Sequence, residues 1–223
     1  MKKLLGLALL GIGLSSAVAA QDLALLIEHE SVSLGADGVT RIQRFSERLV
    51  RRDANSWLAR VLPPGAHEEA DHQAGGQGHR HMDVAAASRW VQRGEDGRLR
   101  VRIVDAHERK VVDVGAPDYA NIGFDGRWTT ASQLLDPAQL GRMKRIDRAA
   151  PAGARWYEGG SPGGAKVQLL WDERSQFPRR IESSNASGSS RSTMATTREP
   201  MPATLPWTTL GGYAVKEYSD LLD

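Results

Sequence analysis

Arg98-Leu99-Arg100-Val101-Arg102-Ile103 is the most regular stretch of the chain, with cationic and apolar residues alternating one for one. A period of two puts one set of side chains on a core and the other in water. Residues 98–103 therefore predict a half-buried β-strand, with Leu99, Val101 and Ile103 inward and the three arginines solvated. Gly94-Glu95-Asp96-Gly97 turns the chain before it, residues 105–109 turn it afterwards, and Val111-Val112-Asp113-Val114 returns as the partner strand.

Outward from this hairpin, the same reading gives mostly strands. Residues 39–50 fit either period, because Ile42, Phe45 and Leu49 have helical spacing while Thr40, Ile42, Phe45 and Val50 suit a long edge strand. The turn signal Asp53-Ala54-Asn55-Ser56 and the run from Trp57 to Leu62, stopped by Pro63-Pro64, favour a hairpin. Residues 64–78 are Gly, Ala, His and acidic side chains without hydrophobic periodicity, and predict a mobile loop. Residues 84–91 suit a strand or a short helix. Ile122 to Trp128 suggests a short strand pair around Asp125-Gly126. Residues 166–171, 179–183 and 190–196 form three strands joined by turns, which is a meander.

Three helices are expected. Leu23, Leu26 and Ile27 are spaced as on a short amphipathic helix over 22–30. Asp136 is a candidate N-cap with Pro137 at the first helical position, and Leu140, Met143 and Ile146 form one stripe that would pack across a sheet. After an irregular tail from Pro200, a last helix is expected over 215–222.

The ends and the composition bound the class. Lys2 and Lys3 precede an apolar run at residues 4–14 that closes on small residues up to Ala20, the order of a cleavable secretory signal peptide. That run is shorter than the roughly 20 residues a spanning helix needs. Cleavage would leave one exported domain over residues 21–223 in the periplasm, not an integral membrane protein. The chain has 29 Lys plus Arg against 27 Asp plus Glu. Losing Lys2 and Lys3 makes the mature form formally neutral, so the pI near 9.0 is no nucleic-acid footprint, which requires clustered excess charge. The chain contains no cysteine, and so uses no disulfide in an oxidising compartment.

Val167-Gln168-Leu169-Leu170-Trp171-Asp172-Glu173, followed by Phe177-Pro178-Arg179-Arg180-Ile181-Glu182 and Asn185-Ala186-Ser187-Gly188, resembles a hairpin of the periplasmic outer-membrane lipoprotein carriers (LolA-like) and the related RseB-like sigma-factor regulators. The resemblance implies an α+β fold, mainly β: a curved antiparallel sheet forming an incomplete barrel, covered by a few helices, with an apolar cavity that receives acyl chains. It carries over no functional residue and implies no cofactor.

Candidate sites follow from residue type. Phe45, Trp57, Trp128, Leu169 and Trp171 are the residues expected to line such a cavity, although tryptophan is used as readily for core packing. His67, His72, His79 and His81, with Glu68, Glu69, Asp71 and Asp83, carry the donor atoms of a zinc or copper site but match no established short motif. Catalysis is unsupported. The serines at 183, 184, 187, 189, 190 and 192 have no nucleophile elbow, His107-Glu108 falls in a turn, and the Gly-rich stretches 75–78 and 159–164 lack the lysine of a phosphate loop. The function expected is non-enzymatic binding of a lipid, an acylated protein or another amphipathic ligand in the concavity of the sheet. Two alternatives stand beside it: an RseB-like envelope-stress regulator that holds a periplasmic or inner-membrane protein partner, and a metal-binding protein using the histidine loop.

Overall fold

The computed structural model describes residues 22–62, 87–161 and 163–221. The leader at 1–20, the loop at 64–78 and all four histidines of the candidate metal site lie outside them. A single open sheet of twelve strands organises the described residues, in the order β12-β6-β5-β4-β3-β2-β1-β11-β10-β9-β8-β7. Two meanders make it. The first is β1 (Leu23–Leu34), β2 (Thr40–Arg52), β3 (Asn55–Val61), β4 (Ser88–Arg93), β5 (Leu99–Asp105) and β6 (Lys110–Val114). The second is β7 (Lys144–Arg145), β8 (Ala154–Gly160), β9 (Lys166–Asp172), β10 (Phe177–Ser184) and β11 (Ser190–Arg198). They are sewn together where β1 pairs antiparallel with β11, from Leu25↔Arg198 to Ser33↔Ser190. β12 (Ala214–Glu217) adds a parallel strand beside β6. The sheet is curved and open, because its edge strands β12 and β7 do not meet.

Tight turns set the registers. Asp53 has φ of +52° in the two-residue connection of β2 to β3, a left-handed conformation that Asp tolerates. The connection of β10 to β11 closes with the Gly188 amide on the Asn185 carbonyl and Gly188 at φ +71°. In β9 the Asp172 carboxylate accepts the amides of Arg174 (3.1 Å) and Ser175 (2.8 Å) and the Nε of Arg179 (2.8 Å), which fixes the return to β10.

Residues 115–143 carry the chain from β6 across one face of the sheet to β7 at the far edge. Here lies α1 (Trp128–Gln133). Phe124 and Ala131 pack on Val91, Val101, Ile103, Val112 and Val114, joined by Tyr218 from the C-terminal turn. Burying each such aliphatic side chain is worth roughly 1.5–3 kcal/mol. Buried polar groups of the sheet satisfy the helix's late carbonyls: Arg51 Nη1 donates to the Ser132 carbonyl (2.8 Å) and Ser56 Oγ to the Ala131 carbonyl (2.6 Å). We call this the helix face. On the other, the tail face, residues 201–213 lay Met201, Leu205, Trp207, Leu210 and Tyr213 on Val50, Trp57, Trp90, Val104 and Val111.

Several local expectations are corrected. Residues 22–30 are not a helix; they begin β1, a central strand with Leu23, Leu25 and Ile27 fully buried. Spacings of two and of three to four coexist in Leu23-Ala24-Leu25-Leu26-Ile27, and two flanking strands decide between them. Residues 122–128 make no strand pair. A 3-10 turn ends at Ile122, and the Asp125 carboxylate accepts the Arg127 amide (3.0 Å) and the Thr130 hydroxyl (2.7 Å) at the entry to α1. The expected helix after Asp136 is a 3-10 turn, Pro137–Arg142, ending where Lys144 and Arg145 pair with β8. Asp136 does act as its cap, accepting the Ala138 amide at 3.0 Å. The C-terminal helix is instead β12 followed by the turn Tyr218–Leu221. Arg102 does not face water: it is 9% exposed, while Arg98 and Arg100 are exposed as expected.

Candidate functional site

The tail covers only the β2–β6 part of its face. Toward β1, β11 and β10 no described segment crosses the same face, and a concavity of about 660 Å³ opens there. Strand alternation supplies its lining: Glu28 and Glu30 from β1, Arg44 and Ser46 from β2, Val61 from β3, and Arg180, Thr193 and Ala195 from β10 and β11. Ser46 pairs with both Glu28 and Val61, and Arg180 with Ala195, so these side chains share one face. A second hollow of about 370 Å³, lined by Arg48, Val50, Trp57, Ala59 and Pro206, shares Arg60, Val61 and Leu62 with the first. The two form one groove, richest in charge at the β1–β10 end, while at the other end Val50, Trp57 and Ala59 stand beside Arg48. Both volumes fall in the range of small-molecule sites.

Ion pairs order the charged end. Arg44 Nε lies 2.7 Å from Glu30 Oε2, and Arg180 Nε lies 2.6 Å from Glu182 Oε1. Glu182 also binds Arg148, Nη1 to Oε2 at 2.9 Å, and this bond, helped by Arg180 against the opposing effect of burial, holds its carboxyl below the usual range. Arg48 pairs with Glu199 at 2.7 Å and pins the start of the tail to the sheet. Arg60 differs: among the described residues it has no carboxylate partner, and its Cζ sits 3.8 Å from the Phe45 ring centroid. The other side of that contact is a stacked pair, His29 on Phe45 at 4.3 Å and 14°, with His29 Nε2 2.9 Å from Glu47 Oε2.

The five residues expected to line a cavity are not brought together. Phe45 borders the larger hollow and Trp57 lines the smaller one. Trp128 opens α1 on the opposite face, with Arg93 Cζ 5.2 Å from its ring. Leu169 and Trp171 are 1% and 2% exposed in β9, paired with Ile181 and Pro178, and line neither hollow. Arg44, Arg60 and Arg180 were not anticipated. Single arginines among 29 basic residues carry no signal until strand pairing gathers them. Among the described residues no three His, Cys, Asp or Glu side chains form a group able to hold a metal ion, and no helix is long and apolar enough to cross a membrane.

No protein-family model matches the chain, and no curated protein matches it. Solved structures similar to it include an uncharacterized conserved protein from Thermus thermophilus, at 8% identity and a TM-score of 0.42, covering 87% of this chain and 90% of that one. MucB is similar at 14% identity and 0.41, over 87% of this chain and 60% of its own. A LolA superfamily protein from Nitrosomonas europaea is similar at 10% identity and 0.33, over 86% and 90%. Likenesses this distant assign no role to any residue. The solved structures similar to this chain thus include a member of the superfamily that the hairpin at residues 167–188 resembles.

Proposed function

We propose that the mature chain is a single exported, non-enzymatic periplasmic domain that holds an amphipathic ligand, a lipid or the acylated segment of a protein, in the groove of the tail face. The observation that carries this reading is the gradient along that groove, from Glu30, Arg44 and Arg180 at one end to Val50, Trp57 and Ala59 at the other. An acyl chain laid toward Trp57 gains about 0.8 kcal/mol for each methylene it removes from water. Its polar head then remains among charged groups at the exposed end, where no charge needs to be desolvated. Val61 and Leu62, shared by the two hollows, form the wall along which the chain runs.

A fluorescent fatty acid tests it. Binding is expected to be saturable, to change tryptophan emission, and to be competed by unlabelled fatty acid. Trp57→Phe should remove most of the emission change while leaving affinity nearly intact, whereas Val61→Asp should weaken binding about tenfold or more by placing a charge on the apolar wall. Absence of saturable binding to the folded protein, or an emission change that survives Trp57→Phe unaltered, overturns the assignment.

A further inference from the structure

Among the described residues, β2 has a partner on one side along nearly its whole length and on the other along only half of it. It pairs with β1 from Thr40 to Arg51, but with β3 only from Ser46 to Arg52. β3 ends at Val61, and the next residues but one, Pro63-Pro64, have no amide hydrogens with which to continue a ladder. Among the described residues, nothing pairs with Thr40–Phe45 on the side away from β1.

The register says which backbone groups this leaves open. The Gly35 amide donates to the Val39 carbonyl at 2.9 Å, so odd-numbered residues of this half of β2 bond to β1. The Leu34 amide donates away from β2, to the Ser189 carbonyl at 2.8 Å, in agreement with that alternation. The amides and carbonyls of Thr40, Ile42 and Arg44 therefore point outward, in plane with the sheet, with no strand among the described residues to receive them. Thr40–Arg44 are all exposed.

The side chains flanking this edge differ by face. On the tail face, Ile42 is 54% exposed and Val61, where β3 stops, is 37% exposed, beside the exposed Leu34. On the helix face stand Phe45 and Arg60, the cation without a carboxylate partner among the described residues. Soluble proteins usually blunt such an edge with proline, a bulge or a cover. Among the described residues this edge carries β-forming and apolar side chains instead, and Arg60 beside it makes no ion pair, although Glu47 stands across from it in the β2–β3 register.

We infer that the Thr40–Phe45 edge is a recognition site for an extended peptide segment of another protein, which adds a strand to β2 in line with β3. The ladder supplies affinity through the open groups of Thr40, Ile42 and Arg44, and alternate side chains supply selection. Residues on one side of the peptide are apolar, covering Ile42 and Val61; those on the other include an acidic residue facing Arg60. The inference goes beyond the ligand groove and holds whether or not that groove takes lipid.

The end-capped peptide acetyl-Val-Glu-Val-Glu-Val-Thr-amide is the probe. With residue-resolved hydrogen exchange on the full mature chain, the amides of Thr40, Ile42 and Arg44 are expected to exchange freely without peptide and to become protected with it. Those of Gln43 and Phe45, already bonded to β1, should not change. Ile42→Pro removes an outward donor and no bond to β1, and should weaken binding about tenfold or more with the circular dichroism spectrum unchanged. The same peptide with its valines N-methylated keeps every side chain and should fail on the native protein, which keeps the test sound if the proline variant does not fold. Replacing both glutamates by lysine should weaken binding to the native chain and strengthen it to Arg60→Glu. Three results overturn the inference: protection of Thr40, Ile42 and Arg44 in the free protein, N-methylated peptide binding as well as the parent, or a dimer in sedimentation that Ile42→Pro dissolves, which would give the edge to a second copy of this chain.

Discussion

β5 and β11 are both legible as strands in the sequence, yet the fold treats them differently. β5 runs Leu-Arg-Val-Arg-Ile-Val-Asp and is buried on both faces over Val101–Val104. β11 runs Ser-Arg-Ser-Thr-Met-Ala-Thr-Thr-Arg and has no fully buried residue. The difference lies in what crosses each strand. Phe124 and Ala131 from the crossover seal one face of β5, and Leu205 and Trp207 from the tail seal the other, whereas the groove opens over Thr193 and Ala195 of β11. A central strand needs neighbours within its sheet, but burial of its faces depends on segments about 30 and 100 residues away. One half of the sheet is a filled core, and over the other half the described residues leave a hollow.

The contrast breaks most easily at its centre. Val101→Asp places an unpaired carboxylate in the filled half and should cost several kcal/mol. Ser192→Asp on β11 should stay within about 0.5 kcal/mol. Denaturant midpoints read both, and equal losses would mean that the two halves are equally packed.

The hinge of the second meander should come next. Burial by itself would raise the Asp172 carboxyl, but the amides of Ser175 and Arg174 and the Arg179 guanidinium outweigh it and hold the group below its ordinary value. A carboxyl so depressed adds stability above the unfolded-state value of about 3.9 and loses that contribution as pH falls through its lower folded value. Asp172→Asn should cost roughly 1–3 kcal/mol at neutral pH. Its stability should also fall less steeply than the native protein's below about pH 4; parallel acid curves would show that Asp172 does not carry the effect.

The two arginines of β5 give a finer comparison. Both reach Asp113, at 3.0 Å and 2.9 Å from Arg100 and 2.9 Å from Arg102. The Arg100 bond comes first in holding the Asp113 carboxyl low, with Arg102 adding to it against burial. Arg102 also donates to Gln92 at 2.8 Å and lies 4.4 Å over the Trp90 ring, with its side chain 11% exposed against 59% for Arg100. Arg102→Ala should therefore cost about 2 kcal/mol through the buried groups it leaves unpaired. The smallest effect is expected for Arg100→Ala, about 0.2–1 kcal/mol, fading as salt is added. A reversed order in thermal melts would restore the view that all three arginines of this strand face water.

Alternation along single strands was legible without coordinates, and so were the turns that join them. Arg98 to Ile103, the hairpin around Asp53, the meander from Lys166 to Thr196 and the cap at Asp136 all rest on local chemistry: side-chain period, left-handed turn residues and a carboxylate placed to receive an amide. What residues 22–27 became was not local, since a five-residue apolar run satisfies both periods until β2 and β11 claim its backbone bonds. The run from Pro137 to Ile146 likewise offered a helical stripe, but pairing of Lys144 and Arg145 with β8 ended it after a short 3-10 turn. The groove was least legible of all. Arg44, Arg60 and Arg180 lie up to 136 positions apart, and only the register of β3, β2, β1, β11 and β10 sets them on or around one hollow. Period and turn type are properties of neighbouring residues, whereas a face, its cover and any bare surface that remains are created when distant strands share hydrogen bonds.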